Sequence, residues 1–424
     1  REWGPMYGRI VALSDTAMRL AEGPAAWGSL LRLLDEGNRL QEHISDIEQN
    51  RMRELDDQLE SRRLQGPGSS GEISDTSAGL SPLPGADLRG QEVEVEHQHL
   101  TETLADLRQQ LSRHSLTVVL SDGREVSVQL AHVLRAFRPN DMSWGTKAGV
   151  YLSNLWLFIS GEPREANTEG GIFPAIFGTV MMVVLMTIIV MPFGVMAAVY
   201  LREYAKQGLS VRLVRIAVNN LAGVPSIVFG VFGLGCFVYA VGGTIDQLFF
   251  STTLPNPTFG TGGILWASLT LALLTVPVVI VATEEGLSAV PRELREGSMG
   301  LGATRLQTLW HVVLPCALPG ILTGLILAMA RAAGEVAPLM LTGVVKLAPA
   351  LPLDNSFPFL HLDRKFMHLG FHIYDVGFQS PNVEAAKPMV YMTTLTLIVV
   401  VVTLNLAAVA VRQRLRRRYA GSVI

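Results

Sequence analysis

The sequence predicts a mainly α, polytopic membrane protein with an extramembrane region in its N-terminal third. Of its 424 residues, 49% are hydrophobic and only 17% are charged, and the mean hydropathy is positive, as is typical of a membrane protein with a soluble part. Five apolar segments are long enough to cross a bilayer as helices, for which about 20 residues suffice. They cover roughly residues 173–200, 215–241, 262–283, 313–343 and 387–411. We therefore expect a transmembrane domain over residues 173–411.

The N-terminal region, residues 1–142, is predicted to contain two helices joined by a flexible linker. Between about residues 7 and 64, leucine and isoleucine recur at roughly helical spacing, which predicts an amphipathic helix. A cluster of Gly, Ser and Pro over residues 66–90 predicts the linker. A leucine stripe over about 91–113 predicts the second helix, and we expect the two helices to fold back on each other as a hairpin.

A β-hairpin is predicted after the second helix. Residues 116–120 and 125–130 are rich in β-branched and apolar residues, and Asp122-Gly123 between them suits a tight turn. No catalytic pattern appears in this region, so we expect a structural or partner-contacting module. Residues 143–172 are predicted to be a pre-span segment.

Basic residues are unevenly distributed among the loops, and this distribution predicts the orientation of the chain. They cluster after the first span, between the third and fourth spans, and in the tail of residues 412–424. These three regions can all lie on one side, which the positive-inside rule identifies as the cytoplasm. With five spans, residues 1–172 then lie outside, and we expect a preceding span that brings the intact protein to six.

The loop of residues 284–312 contains the most specific motif of the chain. A polar helix-turn-helix between two spans cannot lie in hydrocarbon, so it must project into water as a docking element. Its spacing is similar to that of the EAA loop of ATP-binding-cassette (ABC) importer permeases, with Gly297 and Ser298 in place of the two alanines. The positions that carry the match are Glu296, Gly302, Val312, Leu314 and Pro315.

From about Ser143 to Arg412 the chain resembles the PstA-type permeases, one of the two kinds of permease subunit in phosphate ABC importers. The segments that carry this resemblance are residues 163–177, 220–226 and 330–338. The resemblance implies a type I ABC importer permease core that moves inorganic phosphate across the bacterial inner membrane, with residues 1–172 in the periplasm. The N-terminal region resembles the long external insertion that some members carry.

The resemblance also implies the partners of the chain. These are a second permease subunit of the PstC type, two copies of a PstB-type ATPase subunit, and a periplasmic phosphate-binding protein of the PstS type. The chain has no Gly-x-x-x-x-Gly-Lys-[Ser/Thr] phosphate loop. We therefore expect a non-catalytic permease with no cofactor of its own, and ATP–Mg²⁺ bound by the ATPase partner.

Arg331 and Glu335 are the most informative residues within the spans, because ionisable groups at membrane depth are costly and are functional candidates by default. Four residues apart on a helix, they share one face and can pair. One interpretation is that Arg331 gives phosphate a transient counter-charge along the translocation route while Glu335 holds the guanidinium. The other is a structural ion pair that fixes helix packing. Asn220 and Ser226, beside Pro225 in the second span, are candidates for the same route, although interhelical hydrogen bonding explains them equally well.

Glu296 is the residue we expect to couple the permease to its ATPase, as the resemblance implies for this loop. Arg295 and Arg305 are its candidate salt-bridge partners. The other coupling residues predicted here are Gly302, which permits the turn between two short helices, Leu314 and Pro315.

The loop of residues 344–386 contains three histidines, His361, His368 and His372. The last two are four residues apart, but no recognised metal-binding pattern accompanies them. We expect a solvent-exposed loop or a docking surface for a binding protein, and no metal site. The two cysteines lie in or beside apolar segments, so no disulfide is predicted.

Two alternatives remain open. The chain could serve another oxyanion, such as sulfate, molybdate or a phosphonate. It could instead be a membrane sensor or scaffold in phosphate signalling, in which the N-terminal region reads a partner. The net charge of −3 gives no reason to expect nucleic acid as a partner.

Overall fold

The computed structural model describes residues 6–15, 19–23, 26–52, 55, 84–133, 135–163, 170–251, 254–354, 359–380 and 383–420. The chain divides into two compact units, Arg1–Gly149 and Val150–Ile424. Most of the predicted linker, residues 66–83, lies outside the described residues, whereas its last part, residues 84–90, is helical.

The N-terminal unit contains a four-stranded antiparallel sheet. Its strands lie in the order β2-β1-β3-β4, and the predicted β-hairpin is β3–β4, with Leu116 opposite Val128. The turn of this hairpin places Gly123 at a φ of 84°, a conformation that glycine adopts without strain. The strands are β1 (Gly8–Ser14), β2 (Arg19–Glu22), β3 (Ser115–Leu120) and β4 (Glu125–Gln129).

The prediction of a helix from residue 7 onward is wrong for its first part, because β1 and β2 precede the helix. Strand β1 pairs with β3, which is distant in sequence, and Leu13 lies opposite Leu116. Both leucines are buried in one cluster with Leu30 of the following helix. The strand is therefore stabilised by a long-range pairing that the local spacing of leucines does not reveal.

Two helices complete this unit and confirm the predicted helical hairpin. Helix α1 (Ala26–Asp46) continues as a π-helical turn over Ile47–Met52, and α2 covers Pro84–Ser112. The helices are antiparallel, since Ile47 packs against Leu104 whereas Gly37, earlier in α1, lies beside Leu111.

The remaining helices include five segments that are long and apolar enough to cross a membrane: Phe173–Tyr204, Ser226–Phe249, Ile264–Ser288, Arg305–Gly334 and Ala386–Leu415. Together with the small sheet they confirm the predicted fold class, a mainly α polytopic membrane protein. In chain order the helices are α3 (Trp144–Ser160), α4 (Phe173–Tyr204), α5 (Leu209–Leu221), α6 (Ser226–Phe249), α7 (Ile264–Ser288), α8 (Arg292–Gly300), α9 (Arg305–Gly334), α10 (Ala337–Thr342), α11 (Leu369–Tyr374) and α12 (Val383–Ala420).

Helix α7 is the central span of the permease unit. In its most apolar stretch 67% of the residues are buried, against 28% in α4 and none in α12. Glycine lets α9 approach it closely: a Cβ added at Gly324 would lie 2.2 Å from the Cβ of Ala282, and one at Gly320 would lie 2.7 Å from the Cα of Gly286. Protein therefore encloses α7, whereas α4 and α12 keep apolar faces for lipid.

The second predicted span, 215–241, is interrupted. Helix α5 ends at Leu221, and the span proper, α6, begins at Ser226. A proline ring clashes with the carbonyl of the residue four positions earlier, and Pro225 lies four residues after Leu221. The first part of the predicted span is thus a separate helix.

The fourth predicted span, 313–343, is also corrected. Helix α9 begins earlier, at Arg305, and ends at Gly334, four residues before Pro338. After two non-helical residues the short helix α10 follows. The same steric clash with a proline ring is therefore present at both interruptions.

Candidate functional site

The two interrupted helices meet inside the permease unit. The start of α6 packs against α10 so closely that a Cβ added at Gly230 would lie 2.7 Å from the Cα of Pro338. Val224 in the first break and Leu339 after the second belong to one apolar cluster with Ala332 of α9. Non-helical backbone at membrane depth is tolerated where protein buries it or where it lines a polar cavity. The two breaks are thus neighbouring parts of one candidate site.

Arg331 and Glu335 lie at the end of α9, next to this meeting point. Arg331 occupies the last turn of the helix, and Glu335 follows it in extended backbone, with φ −81° and ψ 131°. The predicted pair forms, but through one contact of 3.5 Å between Nε and Oε1. The prediction that both residues lie on one helical face in the middle of a span is wrong, because the helix ends between them.

The Arg331 guanidinium retains most of its capacity to donate hydrogen bonds. Its side chain is 35% exposed, and its terminal nitrogens have no hydrogen-bond partner in the part of the chain that the structure describes. A guanidinium carries five N–H donors in a planar fork, which matches the oxygens of a tetrahedral oxyanion. A contact as long as 3.5 Å is weak, so an anion could take the place of Glu335.

Asn220 and Ser226 flank the first break. Asn220 is exposed in the last turn of α5, and its carbonyl accepts a hydrogen bond of 3.0 Å from the N–H of Gly223. Ser226 is the half-buried first residue of α6. The prediction that Asn220 lies within the second span is therefore wrong. Among the described residues, no hydrogen bond joins either side chain to Arg331.

The predicted cytoplasmic loop forms a compact helical turn. Helix α8 is followed by a left-handed residue, Gly302, at φ 89°. The N–H of Ala303 donates to the carbonyl of Ser298 at 3.2 Å, as in a Schellman cap. Thr304 then caps α9 reciprocally with Gln307, the arrangement called a capping box. Gly302 therefore permits the turn, as the sequence predicts.

Arg295 pairs with Glu203 at the end of α4 and not with Glu296, which corrects the predicted salt bridge. Its Nη1 lies 2.8 Å from Oε1 of Glu203, and its Nη2 donates to the carbonyl of Leu287 at 2.6 Å. Nothing in the sequence singled out Glu203, which lies 92 positions before Arg295. The pair joins the loop to the first span of the permease unit.

Glu296 and Arg305 are exposed, and neither has an ion-pair partner among the described residues. Leu301, at the tip of the turn, is 92% exposed. Met299 and Leu306, close to it in the chain, are 42% and 55% exposed. A group of exposed apolar side chains at a loop tip, beside unpaired charges of both signs, suits docking into a groove of another protein.

Leu314 and Pro315 attach the loop to the membrane domain. Leu314 packs against a buried cluster formed mainly by α7 and α9, which includes Leu287 and Ile321. A π-helical turn over Leu309–Val313 ends two residues before Pro315. Because a proline ring clashes with the carbonyl four residues earlier, the wider turn accommodates Pro315 without breaking α9.

The segment between α10 and α12 differs from the predicted exposed loop. His368 and His372 are only 0% and 2% exposed, and burial lowers the pKa of each to about 4. Nδ1 of His368 accepts a hydrogen bond of 3.1 Å from the N–H of Gly370, so this histidine caps α11. His361 contacts Asp354 at 3.0 Å. The described residues contain no cluster of three metal-ligating side chains.

Spans with a helical loop that projects from them, and two broken helices that meet around a charged pair, define a transport permease. The chain belongs to the family described as the binding-protein-dependent transport system inner membrane component, whose model matches residues 190–419. This match confirms the predicted class and a multi-pass inner-membrane component.

Curated relatives agree with this family. The chain is 37% identical to phosphate transport system permease protein PstA 1 of Mycobacterium tuberculosis over 171 residues, which is 40% of the chain and 50% of that protein. It is 31% identical to the probable ABC transporter permease protein YqgI of Bacillus subtilis over 235 residues, or 54% of the chain and 74% of that protein. The chain thus spans about half the length of the mycobacterial relative. The predicted resemblance to PstA-type permeases is confirmed.

Among solved structures, the chain is similar to an inward-facing form of the MetNI methionine ABC transporter, with 18% identity and a TM-score of 0.43 over 65% of the chain and 99% of that chain. It is also similar to a bacterial ABC transporter that imports alginate, with 14% identity and a TM-score of 0.42 over 66% of the chain and 86% of that chain.

Proposed function

We propose that the chain is the permease subunit of an ABC importer that carries inorganic phosphate across the bacterial inner membrane. Relatives named as phosphate transport permeases support phosphate as the substrate. The proposal rests mainly on the position of Arg331. Its side chain is held by a single contact of 3.5 Å with Glu335, and it lies beside the place where two helix breaks meet. The C-terminus lies in the cytoplasm and residues 1–172 lie in the periplasm.

Phosphate accepts hydrogen bonds from the free terminal nitrogens of Arg331 as it passes the helix breaks. Its negative charge competes with the carboxylate of Glu335, which returns to the guanidinium once the anion has left. Because a carboxylate always competes, phosphate is bound only briefly, as conduction requires. Asn220 and Ser226, beside the first break, offer further polar groups along this route.

Energy reaches the site through the loop between α7 and α9. Leu301 and Glu296 dock in a groove of a PstB-type ATPase subunit, and two such subunits close on binding ATP–Mg²⁺. The Arg295–Glu203 pair passes the displacement to α4, while α9 carries it directly to Arg331. A PstC-type permease completes the pathway, and a PstS-type binding protein delivers phosphate.

Labelled-phosphate uptake tests this proposal most simply. The intact gene is expressed with its cognate partners in bacterial cells that lack their own PstA-type subunit, and membrane levels are matched by immunoblot. Unlabelled phosphate, sulfate, molybdate and a phosphonate are added separately as competitors. Expression of the partners alone is the control.

We expect uptake that depends on the chain and that only phosphate competes away. Competition by sulfate or molybdate would instead assign another oxyanion to the permease. No uptake in the presence of all partners would overturn the transport proposal.

A further inference from the structure

Helix α3 (Trp144–Ser160) has one apolar face and one small, uncharged polar face. At helical periodicity, one face collects most of the aromatic and aliphatic residues, and the helix contains no Asp or Glu. The apolar face consists of Trp144, Ala148, Tyr151, Leu152, Leu155, Phe158 and Ile159. The opposite face consists of Gly145, Thr146, Gly149, Ser153 and Ser160, with Trp156 among them and Leu157 and Val150 at its edge.

Protein covers little of this helix. None of its residues is buried, and Trp144, Tyr151 and Leu152 are 89%, 70% and 63% exposed. A contiguous exposed surface of this kind marks an interaction with another protein or with a membrane.

The C-terminal end of α3 is fixed beside the start of the first span of the permease unit. Phe158 packs against a buried cluster that includes Ile172 and Ala175, and its carbonyl accepts a hydrogen bond of 2.8 Å from the N–H of Ile172. Helix α4 starts at the next residue, Phe173. The start of a span is the level at which the chain enters the hydrocarbon, so α3 ends at the membrane surface.

The composition of α3 matches the bilayer interface better than a protein interface. Tryptophan and tyrosine concentrate at the level of the lipid headgroups, because their rings are apolar and their N–H and O–H groups reach water. Trp144, Tyr151 and Trp156 are distributed along the helix. Its only charged side chain is Lys147, which suits anionic headgroups.

We propose that α3 lies in the membrane interface at the entrance of α4, with its apolar face against the acyl chains of the lipids. The occupant of this face is the lipid bilayer itself. The helix is thereby an interfacial anchor ahead of the first span. This inference depends on the membrane-spanning helices and not on the substrate.

Depth measurement by spin labelling tests the proposal in the assembled transporter. Cys236 and Cys316 are first replaced by serine, and single cysteines are introduced on the apolar face, at Ala148 and Leu152, and on the opposite face, at Gly149 and Ser153. Each variant is purified with its partner subunits in nanodiscs of phosphatidylethanolamine and phosphatidylglycerol. The accessibility of each nitroxide to oxygen, which dissolves in lipid, is compared with its accessibility to a water-soluble nickel chelate.

We expect the oxygen-to-nickel ratio to be several-fold higher at Ala148→Cys and Leu152→Cys than at Gly149→Cys and Ser153→Cys. Equal, nickel-dominated values at all four positions would place the helix in water and overturn the proposal. Low accessibility to both reagents at the two apolar positions would assign that face to a partner protein, which would also overturn it. Because the experiment compares the accessibility of labels on the two faces of one helix, its result does not depend on transport activity.

Discussion

Two Arg–Glu pairs of the permease unit, Arg295–Glu203 and Arg331–Glu335, differ in how firmly they are held. Arg295 contacts Glu203 at 2.8 Å and also donates to a backbone carbonyl at 2.6 Å, and both side chains are about one-fifth exposed. Arg331 contacts Glu335 at 3.5 Å through one nitrogen, and its side chain is 35% exposed. The first pair joins residues 92 positions apart, and the second joins residues four positions apart.

This difference separates a structural link from a pair that can exchange its partner. A short contact with a second anchor transmits a displacement from one helix to another. A single long contact opens at small cost, and its arginine can then bind an anion.

Arg331→Gln should lower phosphate uptake by roughly 10–100-fold. Hydrogen bonds to charged groups contribute about 1.5–3 kcal/mol, and about 1.4 kcal/mol corresponds to a tenfold change. Phosphate uptake by Arg331→Lys should lie between that of Arg331→Gln and that of the wild type, because lysine keeps the charge but lacks the planar fork of donors. Labelled-phosphate uptake in cells measures this, with Arg124→Gln in the N-terminal unit as the control. Unchanged uptake in Arg331→Gln would mean that the arginine is not on the route.

Arg295→Gln should lower uptake by about tenfold, because it removes one charged hydrogen-bond pair. Restoring the pair in reverse, with Glu203→Arg and Arg295→Glu together, should recover part of the loss. Recovery is incomplete because a glutamate cannot donate to the carbonyl of Leu287. If the double variant is no better than the worse single variant, the pair is not the link between the loop and α4.

Gly302→Ala should destabilise the loop by about 1–2 kcal/mol, the cost of a left-handed backbone conformation for a residue with a Cβ. A Cβ added there meets no atom within 4 Å, so the cost is conformational. Hydrogen exchange of residues 292–308 measures it. Gly297→Ala is the matched control, since it lies inside α8 with equal space and should slow exchange slightly. Equal exchange in both variants would contradict the assigned turn.

Acidification should loosen the segment around α11. The pKa values of His368 and His372 lie near 4 in the folded protein, below the ordinary 6.5, so the unfolded segment binds protons first. Stability from these neutral histidines is complete above about pH 6.5 and falls as the pH decreases toward 4.

Hydrogen exchange of residues 365–380, corrected for intrinsic rates, should therefore rise between pH 7.5 and pH 5. For His372, Asp375 opposes the pKa shift and Lys346 favours it. His372→Phe should show a smaller rise, and an unchanged pH dependence would refute the role of this histidine.

The fold was predictable where residues close together in the sequence determine the structure. Apolar length predicted the spans, and a fixed spacing predicted the loop around Glu296. Strand β1 was not predictable, because its partner β3 follows about 100 residues later. The helix breaks were also missed, since proline alone does not decide them: Pro192 and Pro277 remain inside α4 and α7.

The candidate site was predictable in part. Spacing alone paired Arg331 with Glu335, because residues four apart meet on a helix or at its end. Their position at a helix end depends on Gly334 and Pro338 together, and on the packing of α10 against α6. The partner of Arg295 was beyond local reasoning, since it comes from another helix.

The most direct test of the contrast between the two pairs measures phosphate transport and ATP hydrolysis in one reconstituted transporter with all its partners. Arg331→Gln and Arg295→Gln are compared with the wild type at equal protein content. We expect that Arg331→Gln loses transport but keeps ATP hydrolysis stimulated by the binding protein, whereas Arg295→Gln loses that stimulation together with transport. Loss of both activities in Arg331→Gln, with Arg295→Gln unaffected, would contradict it.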